Sequence, residues 1–209
     1  MRTLARCLFV VLILWTSSPP AHAAEISNRT LLGNSAVRRE LRLTAEQKEK
    51  VDVVLREIEK QVARRMAERP AKGADAPDSA LGEEEISDVV IAEYSPQLQV
   101  LLDEHQRRRL WQIGAQASGF AVFANEHVQR VLQWTPEQRR QITALGDKLV
   151  EDAVKVYMDA DLKLTEVEKR ADLLKQKYYD DALALLTTKQ RKDFDELLGE
   201  RFDLKLLRE

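Results

Sequence analysis

The chain of 209 residues contains 33 basic and 35 acidic side chains, which gives a formal net charge of −2. Phosphate binding needs clustered positive surface, so this composition argues against a nucleic-acid partner. Seven glycines, six prolines, 33% charged and 6% aromatic residues favour helices over sheets.

Residues 1–23 have the pattern of a secretory signal peptide: two arginines, an apolar run over 7–15 and a small-residue end before Ala23. The run is too short to span a bilayer, so we expect no stable membrane insertion once the signal is removed. Cleavage is expected after Ala23, with the bond after Ala24 as the alternative. The mature chain would keep 186 residues, a net charge near −4 and no cysteine. We therefore expect a periplasmic or otherwise exported protein without disulfides.

Residues 24–43 are interpreted as an N-terminal extension. Apolar residues at helical spacing then predict a first helix over 44–68, and the small, polar, proline-bearing stretch 69–82 is typical of a flexible linker. We predict that 83–209 forms the main helical unit and packs with the first helix. Within this unit, Ser95 and Pro96 have the pattern of a helix start, and a short helix is predicted over 120–132.

The longest apolar stripe begins after Thr135 and steps by threes and fours. Twelve steps cover 43 residues, or 3.58 per step, which is close to the period of a straight helix. The stripe predicts one continuous helix of roughly 65 Å. A break near Leu164, where LTEVE also resembles a helix start, is the alternative. The members of the apolar stripe are Ile142, Leu145, Leu149, Ala153, Val156, Ala160, Leu164, Val167, Ala171, Leu174, Tyr178, Ala182 and Leu185.

Apolar stripes of this kind on several helices predict an all-α fold, namely an elongated antiparallel helical hairpin or bent bundle with one long helix in its C-terminal half. The sequence shows no strand-like alternation of any length.

One short phrase occurs four times: an apolar residue, a Thr or Asp, and a Gln three positions later. Thr and Asp are good N-cap acceptors, and the Gln can reach back to the N-cap amide to complete a capping box. The apolar residue before the cap can act as a hydrophobic staple, so it should face inward. As a helix-start device, each copy contributes on the order of 1 kcal/mol. The copies are Leu43, Thr44 and Gln47; Leu102, Asp103 and Gln106; Trp134, Thr135 and Gln138; and Leu186, Thr187 and Gln190.

These phrases resemble the LTxxQ motif of bacterial Spy/CpxP-like periplasmic proteins, which are small and all-helical and form a cradle-like dimer. The segment over 101–142 also resembles a part of larger exported proteins with several such motifs. Asp103 stands where the motif has Thr, Trp134 where it has Leu, and successive copies lie 59, 32 and 52 residues apart.

The resemblance implies chaperone-like or envelope-stress-linked binding of unfolded clients or partner proteins, without a cofactor, and leaves a homodimer open. A structural or assembly spacer that binds one dedicated partner is an alternative from another class. A metal-responsive periplasmic protein is the third.

Few residues indicate a catalytic or metal site. His105 and His127 are the histidines of the mature chain, and their separation of 22 residues fits no local ligand pattern. We find no cysteine nucleophile, glycine-rich phosphate loop or GxSxG elbow in the mature sequence. We therefore predict no enzyme, no metal ligands and no cofactor.

Large aromatic residues are concentrated between Trp111 and Trp134. Such side chains more often form a core than a binding patch. Trp111, Phe120 and Phe123 are nevertheless the candidates for a client or partner surface.

Overall fold

A computed structural model describes residues 28–68 and 83–208, and every regular element in these residues is helical. The predicted all-α fold is therefore confirmed. The predicted signal peptide and the predicted linker over 69–82 lie outside the described residues. Among the helices that are described, none is both long and apolar enough to cross a membrane.

Two short helices precede the one predicted as the first, and both lie in the stretch 24–43 that was interpreted as an N-terminal extension. The Asn34 side chain caps the second of them by accepting hydrogen bonds from the amides of Ala36 and Val37. Both helices bury apolar side chains, which holds them in place despite their length. The first three helices are α1 (Asn28–Gly33), α2 (Ser35–Glu40) and α3 (Ala45–Ala67).

In the next segment the helices do not begin at the predicted starts, Ser95 and residue 120. Pro96 lies inside a helix, and the Ser95 hydroxyl donates to the Ile91 carbonyl instead of capping a new start. The predicted short helix is divided at Asn125, whose side chain caps its second part. The elements are α4 (Glu83–Val100), α5 (Glu104–Ala117), a 3-10 helix (Gly119–Ala124) and α6 (Glu126–Val131).

The prediction of one long helix is wrong, and the alternative of a break near Leu164 is correct. Asp159 ends the first part with a ψ of 104°, and Lys163 precedes the second part in an extended conformation. The two parts pack antiparallel. Two hydrogen bonds show this direction: the Tyr178 hydroxyl donates to Asp152, and the Gln138 side-chain amide donates to the Leu185 carbonyl. The remaining elements are α7 (Pro136–Met158), α8 (Leu164–Ala184), α9 (Thr188–Leu198) and a 3-10 helix (Leu204–Arg208).

The chain divides into two compact units instead of one main unit over 83–209. The first unit is Ile26–Gly114 with Arg201–Glu209, and the described part of the second unit is Ala115–Glu200. In the first unit α3 packs against α4, as α7 packs against α8 in the second. The predicted main unit over 83–209 does not show this division, because α4 packs on α3 in the first unit while α7 and α8 pack on each other in the second.

Each unit has its own apolar core. In the first unit, Leu31, Leu32 and Val37 of the short helices join Val51 and Ile58 of α3, and all five are almost fully buried. In the second unit the core is aromatic. Phe123 has ring neighbours at centroid distances of 6.1, 6.1, 5.5 and 5.2 Å, which are Phe120, Trp134, Tyr179 and Phe194.

Candidate functional site: paired glutamine motifs

Each of the four repeated phrases starts a helix with a reciprocal capping box. In three copies the threonine hydroxyl accepts from the backbone N–H of the glutamine, and the glutamine side-chain oxygen accepts from the backbone N–H of the threonine. Asp103 makes the same arrangement, with Gln106 N to Asp103 Oδ1 at 2.8 Å and Asp103 N to Gln106 Oε1 at 3.0 Å. Aspartate therefore replaces threonine without loss of the cap, as its acceptor oxygen allows.

Two of these glutamines meet in the first unit, although 59 residues separate them. Gln47 Nε2 donates to Gln106 Oε1 at 2.7 Å, and Gln106 Nε2 donates back to Gln47 Oε1 at 3.1 Å. The second N–H of each side chain reaches a backbone carbonyl, from Gln47 to Leu101 at 2.9 Å and from Gln106 to Leu41 at 3.2 Å. We call this reciprocal pair the first glutamine clasp.

The second unit repeats the arrangement with the other two copies. Gln138 Nε2 donates to Gln190 Oε1 at 2.8 Å, and Gln190 Nε2 donates to Gln138 Oε1 at 3.0 Å. The other N–H of Gln138 reaches the Leu185 carbonyl and that of Gln190 the Leu132 carbonyl, both at 2.9 Å. This pair is the second glutamine clasp.

The clasps use the full hydrogen-bonding capacity of the primary amide. A glutamine side chain offers two N–H donors and an oxygen with two lone pairs. Gln190, for example, accepts from Thr187 N and Gln138 Nε2 and donates to Leu132 O and Gln138 Oε1. A glutamate at this position would complete the cap but could not donate, so the clasp requires glutamine.

The carbonyls that the clasps bind belong to helix ends. Leu41, Leu132 and Leu185 are the C-cap residues of α2, α6 and α8, and Leu101 follows the last residue of α4. Carbonyls at a helix C-terminus have no partner within the helix. Each glutamine thus joins the start of its own helix to the end of the helix that precedes the other motif.

Two motif copies are preceded by a tight helix end with a residue in the left-handed region. Arg42 has φ 51° and Gln133 has φ 49°. Each lies in a Schellman arrangement, in which Leu43 N donates to Arg38 O at 3.2 Å and Trp134 N donates to Gln129 O at 3.3 Å. Glycine normally fills this position, so the sequence carried no signal for the turn.

The apolar residue before each cap faces inward, as the motif predicts, but its contacts lie in the core. Leu43, Leu102 and Trp134 are buried, and Leu186 is half-buried. The fourth helical residue, the usual partner in a hydrophobic staple, is Lys or Arg in all four copies. Trp134 instead stacks on Phe123. Among the described residues, its buried indole Nε1 finds no hydrogen-bond acceptor.

The proposed client surface of Trp111, Phe120 and Phe123 is corrected in part. Phe123 is fully buried at 0% exposure and forms the centre of the aromatic core. Trp111 and Phe120 are half-buried, and the two belong to different units. Within the second unit, Phe120 packs edge-on against Phe123 at a centroid distance of 6.1 Å.

Large apolar side chains are exposed elsewhere, set singly among charged neighbours. In the first unit these are Val53, Val89, Val100 and Leu204. In the second unit they are Val131, Met158, Leu164 and Leu173. Leu164 and Leu173 are more than 60% exposed on α8. The sequence could not separate these positions from core positions, since Leu164 lies on the same apolar stripe as buried Val167.

Among the described groups, Tyr178 has a pKa far above its usual value, and its hydroxyl is hydrogen-bonded to Asp152. The Tyr178 hydroxyl donates to Asp152 Oδ2 at 2.7 Å. Burial and then this carboxylate raise the pKa of Tyr178 to about 12. The hydrogen bond from Tyr178, followed by that from Lys155, lowers the pKa of Asp152.

Within the described residues there is no cluster of three or more His, Cys, Asp or Glu side chains that could hold a metal ion. His105 and His127 are both exposed and lie on different helices, α5 and α6.

Comparisons with protein-family models, with curated proteins and with solved structures give no match for this chain.

Proposed function

We propose that this chain is an exported, non-enzymatic helical protein of the LTxxQ type that binds unfolded segments of other proteins and so limits their aggregation. The observation that carries the proposal is the pairing of the motif copies. The four copies form two clasps, one in each unit, so the repeated phrase corresponds to a repeated structural module in this chain.

The exposed surface suits weak and reversible binding. Val53, Val100 and Leu173 are 54%, 78% and 61% exposed, and each has charged residues within three positions in the sequence. Apolar groups separated by charges can contact an unfolded segment without forming the continuous patch that would lead to self-aggregation. The clasps themselves are structural, since every hydrogen-bonding position of their amides is already filled.

The direct test records light scattering from a thermally aggregating client mixed with the mature chain. We expect suppression that grows with the molar ratio of the chain to the client. A quadruple variant, Val53→Ser, Val100→Ser, Leu164→Ser and Leu173→Ser, should lose most of it. Its melting temperature should change little, because these side chains are exposed. Lys169→Ser, an exposed change on the same helix α8, is the matched control.

Unchanged client aggregation at several-fold molar excess of the natural chain would contradict the proposed activity. Full activity of the folded quadruple variant would instead leave the activity standing and exclude these four side chains as its surface.

A further inference from the structure

The turn between α7 and α8 breaks the helix without a helix-breaking residue. Its residues are 159–163, DADLK, and contain neither glycine nor proline. The apolar stripe stays in phase with the helical period across this turn, from Val156 through Ala160 to Leu164. The same residues are therefore compatible with a continuous helix, and the packing of α7 on α8 selects the turn.

Local contacts hold the turn only weakly. Asp159 Oδ1 accepts from Asp161 N at 3.1 Å, and Leu162 N donates to Asp159 O at 3.4 Å. α8 begins after Lys163, whose side chain makes no cap hydrogen bond. α3, α5, α7 and α9 all begin with capping boxes, so the start of α8 lacks the stabilisation that the repeated motif gives to them.

The stripe is covered everywhere except near this turn. Its exposed large apolar member is Leu164, at 63% exposure, and it lies where α7 and α8 would meet in a continuous helix. Val156 before the turn and Val167 after it are half-buried and buried. In an antiparallel pair of continuous helices, the position of the turn lies at the two-fold axis, so a second copy would cover Leu164 with its own.

We propose that a second copy of the chain covers Leu164, and that the two copies exchange all residues after the turn. The turn straightens, 136–184 becomes one helix, and α8 of each copy packs on α7 of the other. The Gln138–Gln190 clasp and the Tyr178–Asp152 hydrogen bond then form between copies with the same partners as within one copy. The exchanged dimer thus keeps the contacts of the monomer and adds the covered turn, which is how exchange of identical elements produces dimers at low cost.

Variants at the turn test the proposal through the dimer fraction. Each full-length chain is refolded from urea at high concentration and then analysed by light scattering coupled to gel filtration. Asp159→Ala removes the turn hydrogen bond and favours helix, so we expect the dimer constant to rise about tenfold. Leu164→Pro fits the first position of α8, since Lys163 has φ −72° and ψ 153°. In a continuous helix it would clash, lowering the constant about a hundredfold per chain.

Leu164→Ala is the matched control, because it removes the same exposed side chain and permits the continuous helix. It should dimerise more than Leu164→Pro. Absence of dimer from both the natural chain and Asp159→Ala, or equal dimerisation of the proline and alanine variants, would overturn the proposal.

A distance measurement separates exchange from simple association. Spin labels are placed at Gln141→Cys and Ala184→Cys in a Cys7→Ser chain, diluted with excess unlabelled chain so that only distances within one chain are read. Both positions are exposed. In the hairpin the labels are neighbours, because Gln138 contacts Leu185. In the continuous helix 43 residues separate them, or about 65 Å. A dimer fraction that contains only the short distance would overturn the exchange.

Discussion

The second glutamine clasp makes a prediction whose sign differs from that of helix capping alone. Gln190→Glu keeps the shape and the acceptor oxygen of the side chain, so Thr187 N and Gln138 Nε2 can still donate to it. At the third position of α9 a negative charge is also favourable to the helix dipole, by about 0.3–1 kcal/mol. If capping were the whole role of the residue, the substitution would be neutral or stabilising.

The clasp predicts the opposite result. Glutamate cannot donate, so the buried Leu132 carbonyl and the Gln138 side-chain oxygen each lose a hydrogen bond. Gln190 is only 9% exposed, so water replaces these bonds poorly. At about 1–3 kcal/mol for each buried polar group left unpaired, we expect the free energy of unfolding to fall by about 2–4 kcal/mol at pH 7.

Urea unfolding followed by circular dichroism measures this change. Gln141→Glu, an exposed change on α7, is the control and should stay within about 0.5 kcal/mol of the natural chain. Because the surrounding acceptors oppose a carboxylate, the pKa of the carboxyl group that Gln190→Glu introduces should be raised in the folded chain. The relative stability of the variant is then highest below the unfolded value of about 4.3 and falls as pH rises through the folded pKa. A Gln190→Glu chain as stable as the natural one at pH 7 would refute the clasp.

Four further substitutions test other contacts. Tyr178→Phe removes the hydrogen bond to Asp152 and should cost about 1–2 kcal/mol at pH 7. Because the folded pKa of Tyr178 is raised to about 12, the natural chain should lose stability between about pH 10 and 12, and titrated unfolding of the variant should lack this loss. Arg42→Gly and Gln133→Gly relieve the left-handed conformation and should each raise the free energy of unfolding by about 0.5 kcal/mol, whereas alanine should not. Trp134→Phe removes a buried unpaired N–H along with packing area, so thermal melts should place it within about 1 kcal/mol of the natural chain.

Local signals predicted what local contacts determine. The starts of α3, α7 and α9 follow from Thr44, Thr135 and Thr187, because a capping box closes within four residues. α1 and α2 were missed although Gly33 and Asn34 are readable as a helix stop and a cap, since helices of six residues have fewer than two turns and cannot show a repeating apolar stripe.

The remaining features depend on contacts between distant residues. The turn after α7 is not encoded by any helix-breaking residue, and only the packing of α7 on α8 shows that the stripe folds back on itself. Arg42 has a left-handed backbone conformation, and the sequence did not indicate it because the residue is not a glycine. The glutamine pairs could not be read from spacing, because a single capping box fully accounts for each copy when it is considered alone.

The pairing also explains why glutamine occupies the last position in all four copies. A cap needs only an acceptor there, and glutamate would provide one with a more favourable charge. A clasp needs an acceptor for the cap and donors for both the partner amide and a helix-end carbonyl, and among the residues that complete a capping box only glutamine has both. A single copy would leave its glutamine N–H groups without the second glutamine and its helix-end carbonyl, so the clasp requires two copies of the motif. Two copies in each of two units is the arrangement that this requirement predicts, and loss of one glutamine should therefore weaken the helix starts of both members of its pair.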